Sequence, residues 1–410
     1  MTGSSGLPDY RIGMAYDVAR VRGLIPALGD GWIHLDAPSG MQPPEEVVSA
    51  VSCALRLPRA VPGGPFAASR RALDVEDAAR RAVADLVGAD PAGVVLGPGP
   101  EVLLRRLADA VTDSLVLGDE LVVSRLDDDA NHVPWVRAAH RRGASVRWAE
   151  IDIETGELPS WQFDELLGRT TRIVALTAAS AQIGVRTDVR DIAERTRRCG
   201  ALLVVDLSAV APFGPVDLDE LGADVVALDA AAWGGPQVGA LVFRTPGLLD
   251  RLASCSLDPA ARGPHRLEVG PHPGPLLAGL VASIDHLAGL DDSVTGTRRH
   301  RLRVSMAALE DHQQRLLHEL LVDLRRIDVT VLGAVRYRVP LLSLTLPVKA
   351  ADVADHLAAR GICAFADPGD RGVLAHLGTA AIGGAVRVGL AHYTSRAETG
   401  ILVSALSELT

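Results

Sequence analysis

Lysine is almost absent from this chain. Of its 41 basic residues only Lys349 is a lysine, and all the others are arginines. Reactions that need a nucleophilic or Schiff-base amine use lysine, because an arginine guanidinium stays protonated. Any such chemistry would depend on Lys349, which lies at a predicted strand-to-helix turn and which we interpret as a solvated residue.

A positive charge balance and long apolar runs are also lacking. The net charge is -10, and the sequence pI is about 5.6. This balance argues against non-specific binding to nucleic acid or to anionic membranes, because both require a basic face. No apolar run reaches the roughly 18 residues of a membrane-spanning helix. We therefore expect a cytoplasmic protein with neither nucleic-acid nor membrane partners.

Cysteine is scarce and scattered. The four cysteines are Cys53, Cys199, Cys255 and Cys363, and none forms a C-x-x-C pair. This spacing indicates neither a disulfide framework nor a zinc motif, so no metal site is predicted. Cys363 follows Ile362 in a predicted strand and is interpreted as a small core residue.

Apolar residues, by contrast, make up 48% of the 410 residues, enough for a large core. Short apolar strands alternate with amphipathic helices through the first two thirds of the chain, including strands at 121–124, 171–179, 201–206, 223–229 and 238–243. This alternation predicts a mostly parallel sheet covered by helices on both faces. After Pro273, two long helices and several shorter elements predict a small α+β domain.

Two charged residues stand out within or beside apolar strands. Asp206 ends the predicted strand 201–206, where ligands bind in open α/β sheets, so its carboxylate could hold a cationic ring nitrogen or cap a turn. Arg387 lies within the apolar strand AVRVGL. Its guanidinium could bind a ligand carboxylate or form an internal ion pair.

Two loops are weaker candidates. Asp127, Asp128 and Asp129, with His132 nearby, could bind a hard cation, but we favour a solvated loop that caps the next helix. The strand–turn–helix junction at 97–101 could bind phosphate at the helix N-terminus. Its two prolines remove backbone donors, so a plain turn is preferred there.

Taken together, these segments resemble the class V aminotransferase and cysteine desulfurase family, pyridoxal-phosphate enzymes of fold type I. The resemblance covers roughly residues 30–408. It rests on several collinear segments, which are WIHLDAPSG, GDELVVSRLDDDANHVPW, LTAASAQIGVRTDVRDIAE, VVDLSAVAPFGPVDLDELGADVVALD, AAAWGGPQVGALVF, RLEVGP and VRVGLAHYTSRAE.

The resemblance implies a large α/β domain with a mostly parallel seven-stranded sheet and a small α+β C-terminal domain. The expected boundaries are a flexible extension at 1–13, a segment at 14–45 that packs with the small domain, the large domain at 46–290, and a connecting helix with the small domain at 291–410. It also implies a homodimer and pyridoxal phosphate as the family's cofactor.

Carried over residue by residue, the resemblance leaves few functional side chains. The Schiff-base lysine position falls on Ala232, and the ring-stacking position falls on Asp128. Two further cofactor positions fall on Gly99, in the phosphate loop, and on Ala181. The retained residues are Asp206, at the ring-nitrogen position, and Arg387, at the substrate-carboxylate position. No catalytic residue is therefore assigned.

Three hypotheses follow from this pattern. In the first, the chain has lost pyridoxal-phosphate catalysis and binds a small carboxylate-bearing ligand or a partner. In the second, it is an active pyridoxal-phosphate enzyme, either an aminotransferase, a cysteine desulfurase or a C–S lyase. In the third, it is a catalyst independent of pyridoxal phosphate that uses Asp128, Asp129 or His132, with or without a metal.

Overall fold

A computed structural model describes residues 16–410, so the extension predicted at 1–13 lies outside the described residues. Thirteen strands are present in this range. They are β1 (Ile33–His34), β2 (Val94–Gly97), β3 (Glu120–Ser124), β4 (Ser145–Ala149), β5 (Thr171–Thr177), β6 (Leu202–Asp206), β7 (Val225–Asp229), β8 (Gly239–Phe243), β9 (Thr330–Val331), β10 (Leu341–Thr345), β11 (Ile362–Cys363), β12 (Phe365–Asp367) and β13 (Ala385–Gly389).

Thirteen α-helices connect and cover these strands within the described range. They are α1 (Val18–Gly23), α2 (Glu45–Arg56), α3 (Ala67–Val87), α4 (Pro100–Thr112), α5 (Asp129–Arg142), α6 (Phe163–Leu166), α7 (Val189–Cys199), α8 (Leu218–Leu221), α9 (Gly274–Ala288), α10 (Arg298–Leu324), α11 (Ala350–Ala358), α12 (Gly372–His376) and α13 (Arg396–Ser407). None of the described helices is long and apolar enough to cross a membrane.

Local sequence signals account for the helix boundaries. The residues Asp188 and Gly200 predict a helix between them, and α7 occupies this interval. The Asp188 side chain caps α7 by accepting a hydrogen bond from the backbone N–H of Asp191, and the helix ends at the left-handed Gly200. The amphipathic run after Asp74 predicts a helix that starts there, but α3 begins seven residues earlier, at Ala67. The intervening residues contain neither glycine nor proline, so the helix continues back to the Gly/Pro loop.

The large sheet has seven strands in the order β2-β8-β7-β6-β5-β3-β4. Strands β3 to β7 pair in parallel, whereas β8 is antiparallel to both β2 and β7. The predicted mostly parallel seven-stranded sheet is therefore confirmed.

Side chains of the central strands alternate between two buried clusters. Val204 and Ala227 belong to one cluster, and Val205 and Val226 belong to the other. Successive strand residues point to opposite faces, so helices must cover both faces of the sheet to bury them. This explains why these strands are continuously apolar rather than alternately polar.

A second, four-stranded antiparallel sheet has the order β12-β13-β10-β9. A separate hydrophobic cluster joins this sheet to α10, α11 and α13 and includes Leu35 from the N-terminal segment. Strand β1 also pairs in parallel with β11, through Ile33 with Ile362 and His34 with Cys363. The N-terminal segment thus contacts the C-terminal part of the chain.

Candidate functional site

The carboxyl ends of strands β3, β5, β6 and β7 meet at one edge of the large sheet. These strands are parallel, so the residues that follow them lie on the same side. Ligands bind at this edge in open α/β sheets. Asp206 lies here, as predicted from its place at the end of an apolar strand.

The Asp206 carboxylate is enclosed at the end of β6. Its Oδ1 accepts a hydrogen bond of 2.9 Å from the backbone N–H of Ser208. Burial raises the pKa of Asp206, and the negative charge of Glu101 adds to this rise. A buried carboxylate without a cationic partner favours its protonated form.

Sequence reasoning missed a second carboxylate at the same edge. Asp229 ends β7 exactly as Asp206 ends β6, and its Oδ1 accepts a hydrogen bond of 3.0 Å from the backbone N–H of Ala231. Burial raises the pKa of Asp229 to about 6, with smaller contributions from Glu101 and Asp206. The rule that singled out Asp206 applies equally to Asp229.

The predicted solvated loop at 127–129 is only partly correct, because Asp127 is 2% exposed. Its carboxylate accepts hydrogen bonds from Ser124 Oγ at 2.5 Å and from Asn131 Nδ2 at 2.7 Å. Burial raises the pKa of Asp127 to about 7, despite these two bonds. The bonds hold the start of α5 against the end of β3.

Asp128 and Asp129 turn the other way and line a cleft, and Asp128 precedes α5 without a side-chain capping bond. Burial raises the pKa of Asp128 to about 6, although the nearby Arg387 guanidinium opposes the rise. His132 Nδ1 lies 3.1 Å from the carbonyl oxygen of Asp128. Among the described residues that line the cleft, His132 is not present. The other ring nitrogen, Nε2, lies 3.7 Å from Asp129 Oδ1, so this imidazole contacts Asp129 from outside the cleft.

The loop after β7 contains the position that the resemblance assigns to the Schiff-base lysine. Ala232 lies half-buried in a short 3-10 turn, Ala230–Trp233. Trp233 is buried and points toward α9, where its Nε1 donates a hydrogen bond of 3.1 Å to Ser283 Oγ. The chain's lysine, Lys349, is exposed and immediately precedes α11.

The region assigned to the cofactor phosphate is the N-terminus of α4. Pro100 is the first residue of this helix and, like Pro98, has no backbone N–H to donate. A Cβ on Gly99 would lie 2.6 Å from Glu101 Oε2, so the Glu101 carboxylate lies directly beside this turn. A carboxylate here repels a phosphate dianion and offsets the attraction of the helix dipole.

The cleft beside this edge is open and has a volume of about 580 Å³. Five carboxylates and two guanidinium groups line it, so negative charge predominates when all are ionised. The charged residues are Asp36, Asp128, Asp129, Asp367, Asp370, Arg371 and Arg387.

Arg387 projects from β13 into this cleft. Its Nη2 donates a hydrogen bond of 2.9 Å to the carbonyl oxygen of Ala181, and its Nη1 lies 3.8 Å from a carboxylate oxygen of Asp367. Its buried Nε has no hydrogen-bond partner among the described residues. The guanidinium is thus anchored at one nitrogen and retains donors for a ligand.

The seven-stranded, mostly parallel sheet and the smaller antiparallel sheet define a protein of the α/β class. Residues 33–402 match the profile of the family described as Aminotransferase class-V, and the chain belongs to this family.

Comparison with individual proteins agrees with this assignment. An uncharacterized protein of Mycobacterium tuberculosis (strain CDC 1551 / Oshkosh) is 51% identical over 97% of this chain and 100% of its own length. A probable cysteine desulfurase of Pseudomonas putida is 28% identical, covering 92% of this chain and 93% of its own length. The apo structure of a cysteine desulfurase from Thermococcus onnurineus NA1 superposes with a TM-score of 0.86 at 23% identity, covering 97% and 98% of the two chains.

Enzymes of this family use pyridoxal phosphate, but the residues at the corresponding site do not fit it. The resemblance assigns the lysine position to Ala232, and the only lysine in the sequence is exposed elsewhere. The position that the resemblance assigns to the cofactor phosphate has two prolines and, beside it, the Glu101 carboxylate. We therefore assign no reaction step to this cofactor.

Proposed function

We propose that this chain is a member of the family without pyridoxal-phosphate catalysis, and that it binds a small ligand in the cleft beside Arg387. The observation that carries the proposal is that the chain's single lysine, Lys349, is exposed just before α11, while the resemblance assigns the Schiff-base position to Ala232. The family's chemistry requires a lysine amine that forms a covalent link with the cofactor aldehyde. An alanine methyl group cannot form this bond.

The charge at the sheet edge supports the same proposal. Pyridoxal phosphate would place its phosphate dianion beside the Glu101 carboxylate, which repels it. The resemblance assigns Asp128 to the position at which family members stack a ring on the cofactor. A carboxylate there offers neither an aromatic face nor a positive charge.

The cleft favours a ligand with both a carboxylate and a cationic group. Arg387 retains unpaired donors on its guanidinium, which matches the geometry of a carboxylate. Asp36, Asp128 and Asp370 surround the same space and attract a cation. We therefore propose a small zwitterion with an additional positive charge, that is, a basic amino acid or a compound of that class.

Isothermal titration calorimetry tests this ligand class. We expect L-arginine or L-ornithine to bind more tightly than L-glutamate, because an extra carboxylate would face the cleft aspartates. Arg387→Gln should weaken binding by about 10- to 100-fold, which corresponds to the loss of a charge-assisted hydrogen bond. Arg105→Gln, at an exposed position on α4, is the matched control and should bind as the wild type does. Equal affinities for all three amino acids, or no effect of Arg387→Gln, would contradict the proposal.

We also propose a homodimer in the cytoplasm, with the domain boundaries expected from the sequence. The family resemblance supports the dimer, and the acidic composition supports the location. Light scattering coupled to size-exclusion chromatography would give a mass near twice 43.1 kDa for a dimer. A mass of one chain over the working concentration range would contradict this oligomeric state.

A further inference from the structure

A group of metal-ligand residues lies where β1 pairs with β11. His34 and Cys363 are direct partners in this two-stranded parallel pair, and Asp36 follows two residues after His34. One imidazole nitrogen, one carboxylate oxygen and the thiol sulfur of these residues lie within 4.8 Å of one another. We propose that His34, Asp36 and Cys363 form a binding site for a divalent transition-metal ion, with Zn²⁺ as the best match.

The donor set favours zinc over the hard cations. Zn²⁺ binds thiolate, imidazole and carboxylate ligands, whereas Mg²⁺ and Ca²⁺ prefer oxygen ligands alone. Three protein ligands with an open fourth position are typical of a zinc site that accepts water or a ligand. His34 and Asp36 are 2 positions apart, and Cys363 follows 327 positions after Asp36, so no local spacing motif in the sequence indicates this site.

A neighbouring carboxylate orients the imidazole for this role. His34 Nε2 lies 3.2 Å and 3.3 Å from the two carboxylate oxygens of Asp30. A proton on Nε2 that is donated to Asp30 leaves the Nδ1 lone pair free to bind a metal. Zinc-binding histidines are commonly held in this way by a carboxylate on the opposite nitrogen.

The Nδ1 atom approaches the Asp36 carboxylate. It lies 4.0 Å from Asp36 Oδ1, and Gln42 Nε2 approaches it at 3.4 Å. Zinc bonds of about 2.0–2.3 Å place tetrahedral ligands about 3.3–3.8 Å apart, so the three donors need to close by about 1 Å. Rotation of the Asp36 and Cys363 side chains can supply this movement, and the Gln42 amide would swing away from Nδ1.

The site is shielded but reachable. The His34 and Asp36 side chains are 10% and 21% exposed, and Asp36 also lines the cleft beside Arg387. An ion can therefore enter from the cleft, and its fourth position is available to water or to a molecule bound there. The proposal is independent of the proposed function, because it requires neither a cleft ligand nor the absence of pyridoxal phosphate.

Cobalt substitution tests the ligand set directly. Metal-free protein titrated with Co²⁺ should develop the visible bands of a tetrahedral ion and a near-ultraviolet band from thiolate-to-cobalt charge transfer. Zn²⁺ should remove both bands stoichiometrically. Cys363→Ser should abolish the charge-transfer band, whereas Cys53→Ser, at an exposed position on α2, should leave it unchanged. Asp30→Asn should keep the band but weaken zinc binding by about 10- to 100-fold, because it alters only the orientation of His34.

Several results would overturn the proposal. They are an absent charge-transfer band in the wild type, a band that persists in Cys363→Ser, or zinc affinity that His34→Gln leaves unchanged. Circular dichroism and thermal unfolding of each metal-free variant establish that it is folded. If Cys363→Ser does not fold, the zinc affinity of Asp30→Asn still tests the proposal, because this variant keeps all three ligands. Calorimetry with L-arginine separately tests the cleft ligand, so the two proposals can fail independently.

Discussion

Replacing Asp127 with asparagine should change how stability depends on pH. Burial raises the pKa of Asp127 from its ordinary value of 3.8 to about 7. The folded state therefore binds more protons than the unfolded state between about pH 4 and pH 7, and the stability it contributes falls as the pH rises through this window. A shift of about three units corresponds to about 4 kcal/mol of destabilisation above pH 7, because each unit is worth about 1.4 kcal/mol.

Asparagine preserves the hydrogen bonds without the titration. Its amide oxygen can accept from Asn131 Nδ2, and its amide nitrogen can donate to Ser124 Oγ, since the hydroxyl can reverse its role. From pH 5 to pH 8 the wild type should lose about 2–3 kcal/mol of unfolding free energy that the Asp127→Asn variant does not lose. Asp129→Asn, at the exposed neighbour, is the control.

Urea unfolding at several pH values measures this difference. Tryptophan fluorescence is a suitable probe, because the buried Trp135 lies on the same helix, α5. The variant's stability curve should diverge upward from that of the wild type between pH 5 and pH 8. Parallel curves for the wild type and Asp127→Asn would show that this carboxyl group titrates normally, and the account of its burial would be wrong.

Three further predictions concern the fold and the lysine position. Trp233→Ala should cost about 3–5 kcal/mol in urea unfolding, as expected for a large buried side chain, and a loss below about 1 kcal/mol would contradict its packing against α9. Gly184→Ala should fail to fold or lose more than about 2 kcal/mol of unfolding free energy, because the residue has φ +74° and its new Cβ would clash with the carbonyl oxygen of Leu341. The control is Gly247→Ala, which has open space around it and should keep the wild-type melting temperature. Ala232→Lys should not acquire stoichiometric pyridoxal phosphate, because the phosphate position still carries a carboxylate and two prolines; a coloured, reducible adduct in this variant would refute that explanation.

The sequence alone predicts the sheet well because its strands are buried on both faces. Such strands are continuous apolar runs, and those ending at Asp206 and Asp229 are found within about two residues of their observed bounds. The start of α3 was misplaced because its first two turns carry polar residues and no clear cap. The four-stranded small sheet was less visible, since three-residue strands such as β12 give little periodicity.

The site was only partly predictable for a different reason. Asp206 and Arg387 are recognisable because each is a charge in or beside an apolar strand. The burial of Asp127 depends on how Ser124 and Asn131 enclose it, which linear sequence does not specify. The approach of His34 to Cys363 arises from a parallel pairing across more than 300 residues.

The most direct test of the central claim is the titration of purified wild-type protein with pyridoxal phosphate, followed by borohydride reduction and mass spectrometry of the intact chain. The account predicts an absorbance spectrum equal to that of free pyridoxal phosphate plus protein, and no stoichiometric adduct after reduction. A stoichiometric change in the spectrum with a reduced adduct on Lys349 would contradict it, since that lysine would then supply the amine that Ala232 lacks.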